Sequence, residues 1–302
     1  MRLRLAPPAA PSRRSRPTRQ LRSRTAARRR LAAATWSAPG DGLVHGFLDL
    51  DVTEAETWCA ERGVTLAHLV GCGLGRALAA VPDARSRVVA GRVLERPAAD
   101  VSFTVAVQHG ADLRAVCVRG IDGKHPRSVA AEVQGGARRI LRGHDPQLGR
   151  AVALAGWLPG TLLRPAMAVA GFLANGLGLR LPGARIEAHA FGSALVTAVD
   201  VLGLARGLAP LLPVARVSTV ACVGAPAARL QREPGTGRIL DRRILEVGLT
   251  FDHRLVDGAQ IGMLAQVLRP VVERPWEAWP EVRPAVAAAR PDASAEAGAR
   301  AV

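Results

Sequence analysis

Residues 250–272, TFDHRLVDGAQIGMLAQVLRPVV, decide how the rest of the chain is interpreted. They continue a strand-like segment, residues 243–251, and after it apolar residues recur at steps of three and four, as in a helix. His253 is therefore predicted at a strand-to-loop boundary, where it could take up a proton near neutral pH. The Asp257 carboxylate can order the turn or accept from a nearby arginine, and Gly258 lets the chain turn without a Cβ clash.

Strand and helix patterns alternate along the chain, which predicts a mixed α/β layer structure. Alternating or apolar runs predict strands at residues 46–52, 101–107, 113–118, 194–199 and 219–223. Helical spacing predicts helices at residues 53–63, 65–82, 128–141 and 259–272. At the first of these helices, Thr53 and Glu56 have the spacing of a capping box.

Composition excludes a wholly disordered chain, because 49% of the 302 residues are hydrophobic. The net charge of +16 is concentrated in residues 1–40, which hold eleven arginines and no acidic residue, and the remaining 262 residues carry only +5. We expect a disordered arginine-rich arm at residues 1–27, a folded domain at residues 28–282 and a second disordered tail at residues 283–302.

Binding of nucleic acid by the arm is not expected, because no aromatic residue precedes Trp36 and no nucleic-acid motif is present. The four cysteines are scattered, without a C-x-x-C pair or a Cys/His cluster, so no metal is expected and a reducing compartment is indicated. The N-terminus lacks the apolar run of a secretory signal. We therefore expect a cytoplasmic protein.

Residues 151–182 are the most apolar stretch of the chain. Arg164 divides it into uncharged runs of 13 and 15 residues, and prolines break it further. Since a membrane span needs about 20 consecutive apolar residues, we expect a pair of buried helices or a subunit interface instead. A wall beside an acyl-binding channel, or contact of this segment or of the basic arm with a membrane surface, is the alternative.

The motif DHRLVDG with its following helix, AQIGMLAQVLRPVVERP, closely resembles the C-terminal signature of the acyltransferase catalytic domain of 2-oxoacid dehydrogenase complexes. This is the family of dihydrolipoamide acetyltransferase and chloramphenicol acetyltransferase. Four upstream segments follow in the family's order: GFLDLDVTEAETW, TLAHLVGCGLGRALAAVPDA, VSFTVAVQHGADLRAVCV and FGSALVTAVDVLGLARGLAPLLPVARVSTVACVGAP. The resemblance covers about residues 28–276 and implies an α+β fold of the chloramphenicol acetyltransferase type, a mixed sheet packed with helices.

The resemblance implies acyl transfer between thiols, or from coenzyme A to another acceptor (EC 2.3.1), without a covalent enzyme intermediate. His253 would be the general base. Asp257 would hold the loop through an ion pair with an arginine near the start of the domain, Arg29 or Arg30, and Arg254 and Gly258 would support the same turn.

The family also uses a hydroxyl to stabilise the tetrahedral oxyanion. Aligning Gly192 with the glycine of the family's Thr-Ile-Ser-Asn-like strand places Thr197 at the hydroxyl position. Ala198 then stands where an asparagine is usual, and Asp200 where a glycine is usual. The resemblance therefore implies a retained oxyanion donor in changed surroundings.

Family sites lie between subunits, which implies a homotrimer or larger homo-oligomer. The only lysine is Lys124, outside any lipoylation motif, so a lipoyl group is expected only in trans, on a carrier protein with a lipoyl or pantetheine arm. Coenzyme A would be a substrate, and the apolar segment favours a longer acyl group. Two alternatives stay open: condensation-type transfer to an amine or alcohol, which usually has a second histidine where Asp252 stands, and a structural or assembly subunit with little activity.

Overall fold

The computed structural model describes residues 42–107, 112–144, 159–233 and 235–280, and within them the chain forms one seven-stranded mixed sheet. Its strands are β1 Leu43–Asp51, β4 Val101–Val107, β5 Asp112–Val118, β6 Ala194–Ala198, β7 Thr219–Val223, β8 Ala227–Arg232 and β9 Ile239–Asp252. They run in the order β1-β9-β7-β6-β4-β5, and β8 pairs with the part of β9 that β7 leaves unpaired. A separate hairpin pairs β2 (Arg87–Val89) with β3 (Arg92–Leu94).

Strand β9 organises the sheet, because its 14 residues pair antiparallel with β1, β7 and β8. Strands β4, β6 and β7 run parallel to one another, with Val101 opposite Ala194 and Ala194 opposite Thr219. The end of β9 lies level with the start of β7, since Phe251 is opposite Thr219. The residues after Asp252 therefore leave the sheet at the amino ends of β6 and β7.

Helices cover one face of the sheet and build the main core with it. The helices are α1 Thr53–Glu61, α2 Leu66–Ala80, α3 Pro126–Leu141, α4 Gly160–Gly171, α5 Gly258–Glu273 and α6 Pro275–Ala278. Alternate residues of β9, Leu245, Val247, Leu249 and Phe251, point into this core. Helix α2 packs along α5 at Gly73, where an added Cβ would lie 3.3 Å from Val272.

The opposite face is covered in part by the loop between β6 and β7. This loop comes so close to the sheet that a Cβ on Gly248 would lie 2.0 Å from the Gly207 carbonyl oxygen. A smaller apolar cluster forms under it, around Phe191, Val217 and Val220. The two faces therefore differ: one is a helix-covered core, and the other is closed by loop backbone.

The predicted mixed α/β architecture is confirmed, and each predicted strand and helix has a counterpart within a few residues. The β2–β3 hairpin and β8 were not predicted. The capping box at Thr53 is wrong, because Thr53 donates to the Asp51 carboxylate while Glu56 pairs with Arg243 at 2.8 Å. The capping box forms one helix later, where Thr65 and His68 satisfy each other's backbone N–H groups.

Only residues 159–182 of the apolar segment 151–182 test the expected pair of buried helices, and α4, the helix among them, is mostly exposed. Residues 151–158 lie outside the described residues, and α4 buries only Leu163, Met167 and Gly171. One turn of π-helix, Phe172–Gly176, follows α4 and is buried at its end. The described part of the segment is thus one helix with a narrow buried face, followed by a turn whose end is buried. The arm at residues 1–27, the tail at residues 283–302 and residues 108–111, between two of the predicted strands, also lie outside the described residues.

No single helix in the described ranges is both long and apolar enough to cross a membrane, although α1 and α2 pass that test together across a bend of 105°. The same ranges hold no group of three His, Cys, Asp or Glu side chains placed to bind a metal ion. All four cysteines are unpaired thiols.

Candidate active site

His253 directly follows the last residue of β9, and its backbone N–H donates to the Gly42 carbonyl at 2.7 Å. The ring Nδ1 lies 2.8 Å from the Val256 carbonyl oxygen. Because a carbonyl can only accept, Nδ1 carries the proton and Nε2 of the neutral ring keeps its lone pair. The residue is exposed, so this ring can serve as a base toward a molecule that docks from outside the chain.

The turn that carries His253 is held by the residues on either side of it. Arg254 donates to the buried Asp252 carboxylate through two nitrogens, at 2.8 and 2.6 Å, and this hydrogen bonding raises the pKa of Arg254. The Asp252 backbone N–H donates to the Ser218 carbonyl at 2.9 Å. A two-point Arg–carboxylate contact fixes geometry as well as charge, so this contact orients the turn to which the imidazole is attached.

Asp257 is the N-cap of α5 rather than a free carboxylate. Its Oδ1 accepts from the N–H groups of Ala259 at 2.8 Å and Gln260 at 3.4 Å, and the Gln260 side chain accepts from the Asp257 N–H at 3.0 Å. Its expected ion-pair partners, Arg29 and Arg30, lie outside the described residues.

Gly258 is the first residue of α5, and an added Cβ there would meet nothing within 4 Å. Its φ is also not among the positive values. The prediction that Gly258 is needed to avoid a Cβ clash in the turn is therefore wrong.

Thr197 lies on β6, on the sheet face away from the helices, next to a second threonine that the sequence analysis missed. Thr104 on β4 donates its hydroxyl to the Thr197 Oγ1 at 2.8 Å. Both side chains are half-buried. Thr104 lies in a predicted strand, but its pairing with a strand 93 residues away has no local sequence signal.

The other two positions of the predicted motif, Ala198 and Asp200, do not add a second hydrogen-bond donor for the oxyanion. Ala198 ends β6 and has no polar side chain. The Asp200 carboxylate accepts from the Val201 N–H at 2.8 Å and starts a short 3-10 turn.

One chain does not bring Thr197 and His253 together. Thr197 is level with Cys222 and, across the next pair, with Gly248, so His253 lies five residues further along β9 and two strands across. At about 3.3 Å per residue and 4.8 Å per strand, these Cα atoms are about 19 Å apart. The proposed base and hydroxyl lie at opposite ends of the sheet.

One protein family matches the part of the chain that carries these residues. Residues 196–279, from Thr197's strand through His253 to the end of α6, match the family model of the 2-oxoacid dehydrogenases acyltransferase (catalytic domain). The resemblance to that family is confirmed. The match includes the end of β6 with Thr197, the DHRLVDG turn and α5, which carry the predicted site residues.

Solved structures of acyltransferase cores share this fold over most of the chain. The cubic core of the pyruvate dehydrogenase multienzyme complex is 16% identical with a TM-score of 0.57, over 90% of this chain and 99% of that one. Dihydrolipoamide acetyltransferase from Azotobacter vinelandii is 17% identical with a TM-score of 0.58, over the same shares. A probable dihydrolipoamide acetyltransferase from Listeria monocytogenes gives 16% and 0.55, over 86% and 94%. At these identities the likeness establishes the fold. No curated protein sequence matches the chain.

Proposed function

We propose that this chain is an acyltransferase that moves an acyl group between the thiol of coenzyme A and a lipoyl-type acceptor thiol held by another chain. His253 is the general base and Thr197 the oxyanion donor. The observation that carries the proposal is the Nδ1 contact with the Val256 carbonyl, which assigns the proton of the neutral imidazole to Nδ1 and makes Nε2 its basic nitrogen, in the family's motif.

The chemistry needs no covalent enzyme intermediate. Nε2 of His253 takes the proton from the attacking thiol as its sulfur bonds to the thioester carbonyl carbon. The carbonyl oxygen becomes an oxyanion and accepts a hydrogen bond from Thr197. The intermediate then collapses, the bond from the carbonyl carbon to the leaving sulfur breaks, and the imidazolium returns its proton to the leaving thiolate.

The arrangement of the hydroxyls supports the role of Thr197. Since Thr104 donates to the Thr197 oxygen, the Thr197 proton remains available to point at the substrate. Preorganised donors of this kind avoid reorientation during the reaction.

The spacing of these residues supports the same assignment. In the Azotobacter vinelandii enzyme, a serine, a histidine and an asparagine were investigated for their role in catalysis, with the serine 52 residues before the histidine and the asparagine four after it. In this chain Thr197 precedes His253 by 56 residues and Asp257 follows it by four. A hydroxyl, a base and a short polar side chain therefore occur in the same order.

A complete site requires two copies of the chain, because the base and the hydroxyl are about 19 Å apart within one copy at ordinary strand spacing. Large apolar side chains are exposed on the sheet edges that could meet another copy: Leu230 is 76%, Ile239 64% and Phe47 55% exposed. Exposed apolar surface of this kind commonly marks an interface. We therefore propose a homo-oligomer, a trimer or larger, with His253 of one copy facing Thr197 of the next.

The deciding experiment follows acetyl transfer from acetyl-coenzyme A to dihydrolipoamide. His253→Ala removes the base and is expected to lower kcat by about 100- to 10,000-fold. Thr197→Val keeps the shape but removes the donor, and is expected to cost about 100- to 1000-fold. His144→Ala, a change at a histidine beyond α3, is the matched control and keeps the wild-type rate. A wild-type protein without turnover would favour the assembly-subunit alternative, and an active His253→Ala variant would remove His253 from the mechanism.

A further inference from the structure

Three arginine side chains gather beneath the β2–β3 hairpin, and one of them, Arg216, is close enough to the His253 turn for the charge of Arg254 to act on it. Arg87 lies on β2, Arg96 just after β3, and Arg216 in the loop before β7. Arg87 is 9% and Arg96 only 3% exposed. The π-helical turn Phe172–Gly176 packs against them: Arg87 Nε donates to the Gly176 carbonyl at 2.8 Å, and the Arg216 guanidinium lies 5.5 Å from the Phe172 ring centre.

The hydrogen bonds that these guanidinium groups make within the described ranges all go to backbone carbonyls. Arg96 Nη2 donates to the Arg216 carbonyl at 3.1 Å, and Arg216 Nη1 to the Val88 carbonyl at 2.7 Å. Arg96 Nε, Arg96 Nη1 and Arg216 Nε are buried and have no hydrogen-bond partner among the residues that the structure describes. A buried charged donor left unpaired costs more than a lost neutral hydrogen bond, so these three nitrogens require an explanation.

No carboxylate in the described part of the chain forms an ion pair with Arg87, Arg96 or Arg216. Asp100 is close enough to act on the Arg96 charge, but its oxygens already accept from Arg119 at 2.7 Å and from the Gly120 N–H at 2.8 Å. The positive charge of the cluster is therefore not balanced by the neighbouring acid.

Burial and mutual repulsion act on the cluster without discharging it. Burial, with a smaller contribution from Arg87, lowers the pKa of Arg96 to about 9, so Arg96 stays charged at neutral pH. Burial, followed by the charge of Arg254, lowers the pKa of Arg216. His189, beside Arg96 and Arg87, has its pKa lowered to about 4 by burial and by these cations, and is neutral.

The backbone around the cluster is also held in an unfavourable conformation. Arg216 has φ of 51° and His189 has φ of 48°, two of four non-glycine residues with positive φ in the ranges that the structure describes. Strain of this kind persists where the surrounding structure imposes it, and it gathers at ligand-binding sites. Three unpaired donors, unbalanced charge and strain thus coincide in one place.

We propose that Arg96 and Arg216, with Arg87 beside them, form a binding site for a phosphate-class oxyanion. The three unpaired donors, Arg96 Nε, Arg96 Nη1 and Arg216 Nε, are charged guanidinium N–H groups of the kind that bind phosphate oxygens. A dianion also balances the charge better than a single carboxylate. The source is either inorganic phosphate held as a structural counter-ion or the phosphate of a nucleotide-bearing substrate. The first source is independent of the acyl-transfer proposal, and the second rests on it.

The test is thermal unfolding of the full chain in increasing inorganic phosphate, at an ionic strength kept constant with chloride, together with assay of phosphate released from purified protein on denaturation. A ligand that binds only the folded state raises Tm with its concentration, so we expect either a saturable rise of several degrees or bound phosphate near one per chain. Neither a rise nor bound phosphate would overturn the site.

Arg96→Met fills similar space without the charge and is expected to lose the phosphate effect. It should still fold in chloride, because it removes a buried charge rather than leaving one unpaired. Arg96→Lys keeps the charge but presents one nitrogen in place of the two unpaired nitrogens of Arg96, and is expected to weaken phosphate binding at least tenfold. Arg92→Met, on the exposed strand of the same hairpin, is the control and keeps the full effect. An unchanged phosphate effect in Arg96→Met would contradict the assignment.

Titration with coenzyme A and with pantetheine separates the two sources. If the substrate's phosphate occupies the site, coenzyme A raises Tm and competes with inorganic phosphate, whereas pantetheine does neither. If the anion is structural, neither compound competes. Because the readout is unfolding, it does not depend on turnover, and a protein without transferase activity would still show it.

Discussion

The hydrogen bond between Thr104 and Thr197 determines which of the two hydroxyl protons is free. Thr104 donates to the Thr197 oxygen at 2.8 Å, so the Thr197 hydroxyl is oriented before substrate arrives. Thr104→Val keeps the side-chain shape and removes this donor. Since a single hydrogen bond contributes about 0.5–1.5 kcal/mol, kcat should fall about two- to tenfold. KM should stay unchanged, and steady-state kinetics at saturating acetyl-coenzyme A measures both constants.

Thr104→Ser is the control for this prediction, because it restores the hydroxyl while removing a methyl group. We expect it to recover most of the wild-type kcat, with Tm measured on both variants. Equal losses in the serine and valine variants, or a change in KM alone, would mean that Thr104 acts only through packing.

The residue scale also shows what sequence patterns can and cannot predict about the site. The position of His253 at the end of a strand was predicted, because strand, turn and helix signals are adjacent in the chain. Thr104 was not predicted, because β4 and β6 meet only in the folded sheet. At Gly258 the residue type alone suggested a backbone reason that the open space around it does not support.

Among the helices and strands, α5 depends on its first residue. Asp257 accepts from two N–H groups at the start of α5 and completes a capping box with Gln260. Asp257→Ala should therefore lower the free energy of unfolding by about 1 kcal/mol, the usual cost of a lost N-cap. Chemical denaturation of the purified variants measures this change.

Asp257→Asn distinguishes the capping role from an ion pair with Arg29 or Arg30. Asparagine caps helices about as well as aspartate, so this variant should keep both stability and activity if the cap is what matters. A loss as large as that of Asp257→Ala would instead indicate that the carboxylate charge is required, in agreement with the role that the family resemblance implied.

Helices and strands were predicted where the apolar residues recur with a clear period. They were missed where contacts with distant parts of the chain determine the structure. Strand β8 is exposed at every residue and has no apolar alternation, so only its pairing with β9 makes it a strand. The loop between β6 and β7 crosses the sheet because Gly248 and Gly224 admit its carbonyl oxygens. Such a close approach depends on residues far apart in sequence, so the local spacing of apolar residues does not predict it.

For the whole molecule, the separation of the two site residues decides how the protein can work. Thr197 and His253 lie at opposite ends of one sheet, which is too far for a single thioester to contact both. A closed ring of copies resolves this, because each copy then gives a base to one neighbour and a hydroxyl to the other. Activity should therefore depend on assembly, although each chain contains both residues.

Mixing two inactive variants tests this arrangement directly. In oligomers reassembled from equal amounts of His253→Ala and Thr197→Val chains, an interface between neighbours is intact when one supplies His253 and the other supplies Thr197. With random assembly this holds for about a quarter of the interfaces in a ring, so acetyl transfer should recover to about a quarter of the wild-type rate. Each variant reassembled alone is the control and stays inactive. If both residues acted within one chain, mixing would restore nothing, since no chain in the mixture carries both.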